Sequence, residues 1–591
     1  MRIRPLALAA ALAAGSAFAG SGPAAAQTIY PIDRAEILAG ARFDLKVELP
    51  GPPVAADAVS VTINGAPALG VLRGEVAFAA DEDGGGHSAL WIRNASIRRP
   101  GSYTVEARIG DARSSVRWEV FATPRPKARN VILFVGDGLS GAHRVAARML
   151  ARGIREGQYG GELAMDDMPH MALVSTSGTD SIITDSANSM SAYTTGHKTC
   201  TNALGVYCAR NKDRNAHPKV ETIAEIGRRV GGMAVGIVTN TDVQDATPAA
   251  VVAHTRTRRD YDGITRMLLA ARPEVLLGGG SDYFLPPPAG KRRDGVDHLA
   301  LFEKAGYRIV GTGTELRKAA ADPSQAPLLG LFNAGNMDGV LDRRFLKKGT
   351  VTRFPDQPDL MEQVEAALAV LSRHDKGFFL MVESGLIDKY AHALDWERSV
   401  LDTIMLDNAV AVAKAWAASR DDTLIIVVGD HAHPVSIIGT YDDSRPGAQL
   451  RDKLGVYAAA GYPSYPTPDT SGYPASLDVT RRLAFVFSAF PDHCDTGRPY
   501  LAGPNQPTEA APATGQAPAP RAFVANESTC RVPGAVRRAG NLPVSAQSGV
   551  HSAEDVILTA SGPGAEGFRG HMPNTRVFRA MATALGLGHH D

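Results

Sequence analysis

The sequence predicts an α/β fold with a largely parallel central sheet, preceded by a small β-sandwich. Three observations point there. Continuous apolar runs (RNVILFVGDG, GMAVGIVTN, EVLLGGGSD, KGFFLMVESG and TLIIVVGDH) are separated by helical stretches such as LMEQVEAALAVLSRH. Strands apolar on both faces belong to a parallel sheet covered by helices. Residues 30–122 instead carry short alternating segments, FDLKVEL, VSVTING, SYTVEAR and SSVRWEV, punctuated by Gly, Pro and Asp. Their number and size fit an immunoglobulin-like sandwich with a binding, docking or folding-support role. Finally, Asp137, Glu383 and Asp430 each fall at the end of a buried run, the crevice side of such a sheet, where ligands gather.

The remaining segments follow in order. Residues 1–26 read as a secretory signal peptide: MRIRP carries two arginines, LALAAALAAGSAFA is a short apolar run, and small residues mark cuts after Ala19 or Ala26. No later apolar run approaches the roughly twenty residues of a membrane span, so no transmembrane anchor is expected. FATPRPKARN reads as a linker into a catalytic domain over 128–591. From about 434 to 545 the rhythm breaks, with GYPSYPTPDTSGYP and the low-complexity GPNQPTEAAPATGQAPAP, which suggests an insertion over the rim of a site. The rhythm returns at VHSAEDVILTA, and TRVFRAMATALGL is the final helix. The 62 basic and 62 acidic residues cancel, so no broad field calls for a nucleic-acid partner. Export to the periplasm or medium makes the four cysteines interpretable as disulfides. Three pairings are allowed. Cys200–Cys208 and Cys494–Cys530 are expected, because each closes a local loop.

The chemistry lies in acidic and histidine residues at strand ends. A charge buried there needs a partner or a metal. Asp137 sits between glycines in VGDGLS, which permit a tight turn. Asp430 and His431 place a carboxylate beside an imidazole. In ESGLIDKYAHALD, Asp388 and His392 are four apart and share one face if helical, able to grip one divalent ion. Glu383 lies upstream and can serve a second site. Asp245 and Thr247 are expected to face inward from an extended segment, with oxygens that suit magnesium. One of Arg256, Arg258 and Arg259 could clamp a phosphate, and spacing does not choose among them. His551 precedes another apolar run. Taken singly, each has an ordinary structural reading: a βα turn, an exposed helix pair, a loop histidine. Together they indicate a multi-metal hydrolase whose nucleophile is Ser186 in TDSANSMSAYTTGHKT, with Asp/His ligands for zinc.

These motifs resemble the serine-nucleophile branch of the metal-dependent alkaline phosphatases. VGDGLS, TDSANSMSAYTTGHKTCTNALGV, DVQDATPAAVVAH, GFFLMVESGLIDKYAH, VVGDHAH and VHSAEDV occur in that family's order, over roughly 128–435 and 545–588. The resemblance implies a three-layer catalytic domain, two zinc ions and one magnesium ion per chain, and phosphate monoesters as substrates. It implies that Ser186 becomes phosphorylated and that Arg258 clamps phosphate. It implies that Asp137, Asp430 and His431 hold one zinc, that Asp388, His392 and His551 hold the other, and that Asp137, Thr247 and Glu383 hold magnesium. Asp245, Lys389 and His433 match outer positions, and a homodimer is implied. Asn188 departs from the family's alanine-rich helix and has two readings, a substrate contact or a helix cap. A phosphodiesterase of the same superfamily and a nonenzymatic phosphate- or surface-binding protein are the alternatives. A sulfatase is disfavoured, since no Cys/Ser-x-Pro-x-Arg motif surrounds Ser186.

Overall fold

The structure is a computed structural model that describes residues 27–49, 51–324, 326–512 and 522–589. The expected signal peptide, 1–26, and part of the Pro-rich stretch lie outside the described residues.

A ten-stranded sheet forms the centre. Its order is Arg308–Val310, Leu328–Leu331, Val275–Gly279, Ala234–Asp242, Phe378–Ser384, Asn130–Gly136, Thr423–Gly429, Val556–Ser561, His170–Ser175 and Gly570–Pro573. All neighbours run parallel except at Val556–Ser561, which is antiparallel to the strands on both sides. The continuous apolar runs are explained by burial of both faces. Val131, Leu133 and Val135 enter one apolar core with helices Ser186–Thr195, Tyr261–Ala271 and Thr575–Ala584. Ile132 and Phe134 enter the opposite core with helices Gly141–Arg152, Leu360–Leu371 and Trp396–Ala417. Alternate residues of one strand thus serve two cores, which is the three-layer α/β arrangement.

The N-terminal strands form two sheets. One has the order Thr28–Tyr30, Phe43–Leu49, Ser88–Ser96, Arg73–Ala79; the other is Glu36–Leu38, Ala112–Phe121, Gly101–Ile109, Val59–Ile63, Ala66–Pro67. Leu45 and Val47 from the first and Val105, Ala107 and Trp118 from the second share one core. SALWIRNAS, a nine-residue strand, escaped the sequence reading because polar residues interrupt its alternation. This part docks on the larger one through buried polar contacts: Lys46 Nζ donates to Arg210 O at 2.8 Å and pairs with Glu82 at 2.8 Å and Glu48 at 3.0 Å.

The segment expected to be an insertion carries small antiparallel pieces. Val435–Asp442 pairs with Arg481–Phe487 and with Leu454–Gly455. Both expected disulfides are present, Cys200–Cys208 and Cys494–Cys530. Among the described residues, no helix is long and apolar enough to cross a membrane.

Candidate active site

Three adjacent strands of the parallel sheet, Phe378–Ser384, Asn130–Gly136 and Thr423–Gly429, end at one level, with Ala234–Asp242 running past them on one side. Gly136 pairs with both Ser384 and Gly429, so Asp137 and Asp430, one residue on, emerge side by side. Glu383 lies one step back, inside its strand and opposite Val135. The chain after Asp137 turns on Gly138 at φ +71°, where an added Cβ would lie 2.6 Å from the His433 ring. Only glycine accepts both constraints.

Opposite these strand ends starts helix Ser186–Thr195. Asp185 is its N-cap and accepts from the Asn188 amide at 3.2 Å, while the Asn188 Oδ1 accepts from the Asp185 amide at 2.9 Å. That reciprocal cap fixes Ser186 in the first turn, where the helix's free amides favour an anion. The Asn188 side chain is thus committed to the cap through Oδ1, which also receives the Thr184 hydroxyl at 2.6 Å, and its Nδ2 faces Gly178.

Ser186 Oγ is 3.3 and 3.4 Å from the two Asp137 oxygens and 3.3 Å from His431 Nε2. Asp137, Asp430 and His431 form one compact cluster of ligand-type atoms, all buried. Asp430 Oδ1 is used by the Gly138 and His431 amides at 3.0 and 2.9 Å, which leaves Oδ2 without a partner. Burial, and then the Asp388 charge, pushes the Asp137 carboxyl up to about 7; burial followed by Asp137 raises Asp430 in the same direction.

A second cluster gathers Asp388, His392, His433 and His551. Asp388 and His392 do lie on one short helix, Leu386–His392. His551 arrives from beyond the insertion, held by pairing of Ser552 with Ala432. The ring orientations are set by carbonyls: His392 Nδ1 meets Gly549 O at 2.7 Å and His551 Nδ1 meets Thr184 O at 2.8 Å. An Nδ1–H donated to a carbonyl leaves Nε2 with its lone pair. The two Nε2 atoms face each other at 3.0 Å, and each is within 3.3 Å of Asp388 Oδ1. Two lone pairs and a carboxylate so placed fit a shared cation. His433 lies beside these three residues, with Nε2 2.7 Å from Asp388 Oδ1.

Asp245 and Thr247 differ from the expectation of an extended segment. Asp245 caps a short helix, Ala246–Ala249, and Thr247 lies within it. Proline at the third helical position, 248, is compatible with a first turn, where its missing N–H costs nothing. Thr247 Oγ1 and Glu383 Oε1 are buried and without partners, while Glu383 Oε2 accepts from Thr241 at 3.1 Å and from Thr239. Burial, then Asp137 and Asp245, pushes Glu383 up to about 8. These unpartnered oxygens fit a hard cation. Thr239 and Thr241 were missed in the sequence, although two hydroxyls at strand period beside an acidic strand end were the available signal.

Of the three candidate arginines, Arg258 reaches the site. Its guanidinium pairs with Asp245 at 2.6 Å and Asp185 at 3.3 Å, and its backbone N–H bonds Asn202 O at 2.8 Å. Arg256 turns to Thr201 O, and Arg259 is exposed. Lys389 Nζ lies 3.0 Å from Asp245, 3.3 Å from Asp388 and 3.8 Å from Asp137. Burial opposes the Asp245 charge, but Lys389 and Arg258 outweigh it and hold the carboxyl well below the usual range.

The chain matches the family described as alkaline phosphatase over residues 128–587. It is 34% identical over 395 residues to the alkaline phosphatase of Escherichia coli K12, covering 60% of this chain and 80% of that one. It is 34% identical over 377 residues to alkaline phosphatase H of Pseudomonas aeruginosa, covering 57% and 76%. The Thermus thermophilus alkaline phosphatase structure superposes with a TM-score of 0.54 at 25% identity, covering 79% of this chain and 93% of that one. Strand ends, clusters and relatives agree, and this chain belongs to the alkaline phosphatase family of hydrolases.

Proposed function

We propose that the protein hydrolyses phosphate monoesters through a phosphorylated Ser186, releasing an alcohol and inorganic phosphate with an alkaline optimum. The observation that carries this reading is the position of Ser186 Oγ, in the first turn of a capped helix, within 3.4 Å of both Asp137 oxygens and His431 Nε2. Its single hydrogen can be given to one of three acceptors, which leaves oxygen lone pairs free to face phosphorus.

Two zinc ions and one magnesium ion would fit the donor sets. Asp137, Asp430 and His431 would hold one zinc, and Asp388, His392 and His551 the other; Asp137, Thr247 and Glu383 would hold magnesium. When bound, they supply fixed positive charge for the attacking and leaving oxygens. Asp245, Lys389 and His433 orient the ligand oxygens and nitrogens. The Arg258 fork binds two phosphoryl oxygens and aligns the ester. Ser186 Oγ then bonds to phosphorus as the ester P–O bond breaks, and the departing alkoxide takes up a proton. Water adds to the phosphoserine, the Oγ–P bond breaks, and Ser186 regains its hydrogen. Two in-line displacements retain configuration at phosphorus.

We also propose the division into an immunoglobulin-like part over 30–122 and a catalytic part over 128–591 with an insertion at about 434–545. Two disulfides are consistent with a periplasmic or secreted protein, and a homodimer is part of the proposal. The test compares turnover of a phosphate monoester, a phosphodiester and a sulfate ester with zinc and magnesium present. The monoester should lead, and diester efficiency equal to or above it would reject the reading.

A further inference from the structure

Beyond the Leu386–His392 helix, a cleft of about 280 Å³ opens between the start of helix Trp396–Ala417, the strands Val435–Asp442 and Arg481–Phe487, and the segment 493–505. None of the residues assigned to phosphoester chemistry lines it. Its walls are aromatic. Trp396 and Phe485 stack with centroids 5.3 Å apart, Phe487 continues the row at 5.9 Å from Phe485, and Phe490 packs against His493 at 5.1 Å.

Two acceptor groups in this cleft are left over. Glu397 is 3% exposed, and no other described residue donates to its carboxyl. The adjacent Arg398 cannot serve it, because its guanidinium is held by Asp342 at 2.7 and 2.8 Å, by Asp395 at 2.8 Å and by Tyr500 O at 2.8 Å. Asn505 is equally buried, and its amide orientation is fixed: Nδ2 donates to Ala393 O at 2.7 Å, which leaves Oδ1 without a partner. The cleft's other charges are committed or outside. Arg538 pairs with Asp495 at 3.1 Å, Arg498 pairs with Asp443 and Asp478, and Arg451 is exposed. Burial, and then Asp395, pushes the Glu397 carboxyl up to about 8, its own backbone N–H being the donor that opposes them.

We propose that this cleft binds a small organic amine, its ammonium group received by Glu397 and Asn505 and its apolar body lying against Trp396 and Phe485. An ammonium brings three donors and a positive charge, enough to serve both leftover acceptors at once. Buried polar groups in native proteins are otherwise paired, and aromatic faces attract the same cation. A neutral hydroxyl has one hydrogen to donate and no charge to offer Glu397, and an anion would be repelled by it.

The test is calorimetry on the full chain loaded with zinc and magnesium, with excess phosphate occupying the phosphoester site. Benzylamine and its uncharged counterpart benzyl alcohol are the probes. Benzylamine should bind once per chain, about tenfold or more tighter than the alcohol, and Glu397→Gln should remove about that tenfold for the amine alone. Ile438→Trp, at the exposed mouth, should weaken both probes and keep the fold if Glu397→Gln does not. Equal affinity for amine and alcohol, no saturable binding, or amine binding unchanged in the variants overturns the proposal.

Discussion

Arg258→Ala separates a phosphate clamp from a structural ion pair. The side chain is 18% exposed, and its guanidinium grips Asp245 at 2.6 Å and Asp185 at 3.3 Å. Removing it does not orphan either acid. Asp245 keeps Lys389 at 3.0 Å and the Ala246 amide at 2.8 Å. Asp185 keeps the amides of Asn188 at 3.2 Å and Asn202 at 3.1 Å. The stability loss should therefore stay near 1–2 kcal/mol, well short of the ~3–5 kcal/mol that follows when a buried charge is stranded. A clamp on phosphate loses more. Charge-assisted bonds are worth about 1.5–3 kcal/mol, so the inhibition constant for phosphate should rise about ten- to hundredfold. The assay is competitive inhibition by phosphate against a monoester, paired with thermal unfolding. An unchanged inhibition constant in a variant that melts like the wild type would refute the clamp.

Ser186→Ala should abolish labelling by a phosphate ester at acid pH; persistent phosphoenzyme in that variant would sink the nucleophile assignment. Exhaustive chelation should remove activity and lower the unfolding temperature, with two zinc and one magnesium per chain restoring both; full activity at less than one metal per chain would contradict the coordination scheme. The His254–Glu225 pair, 3.0 Å apart, gives a pH test away from the clusters. Burial opposes the His254 charge but Glu225 outweighs it, raising the imidazole above 6.5, while burial opposed by His254 leaves Glu225 below 4.5. The histidine's contribution is complete below 6.5 and is lost as pH rises through its raised value; the glutamate's is complete above 4.5 and is lost as pH falls through its lowered value. The stability gap between wild type and Glu225→Gln should therefore be widest between about pH 4.5 and 6.5 and narrow on both sides. A gap that does not vary with pH would show that the pair acts only as packing.

Where a strand is buried on both faces, its sequence reads plainly. Val131 to Val135 feeds two cores, so no polar residue is tolerated until the strand ends, and the first one there is Asp137. Ser88–Ser96 shows the converse. Its neighbours on both sides are N-terminal strands; the Arg93 guanidinium interrupts the alternation to meet Asp44 at 3.2 Å, and Asn94 follows it at φ +51°, its backbone N–H donating to Asp44 at 3.0 Å. Polar residues spent on a partner distant in sequence erase the period that marks a strand.

The site divides along the same line. The proximity of Asp388 and His392 is legible because a helix fixes their spacing, and His392 Nε2 lies 3.2 Å from Asp388 Oδ1. His551 was not legible alone, since a loop histidine is fixed only by the carbonyl of Thr184, distant in sequence, and by the Ser552–Ala432 pairing. His433 shows the limit most clearly. Spacing sets it two residues beyond His431, and a strand would then point both rings the same way. Instead the chain binds Ser140 in both directions, with the His433 amide donating to Ser140 Oγ and that hydroxyl donating to His433 O, each at 2.8 Å. That turn sends His431 Nε2 to Asp137 at 3.1 Å and His433 Nε2 to Asp388 at 2.7 Å. One serine, contributed by the loop after Asp137, thus holds the backbone at His433 in the turn that parts the two imidazoles. Ser140→Ala should accordingly disturb the Asp388 cluster through His433, lowering the zinc retained per chain on metal analysis while the ligand-type residues stay the same; zinc content equal to the wild type would refute it.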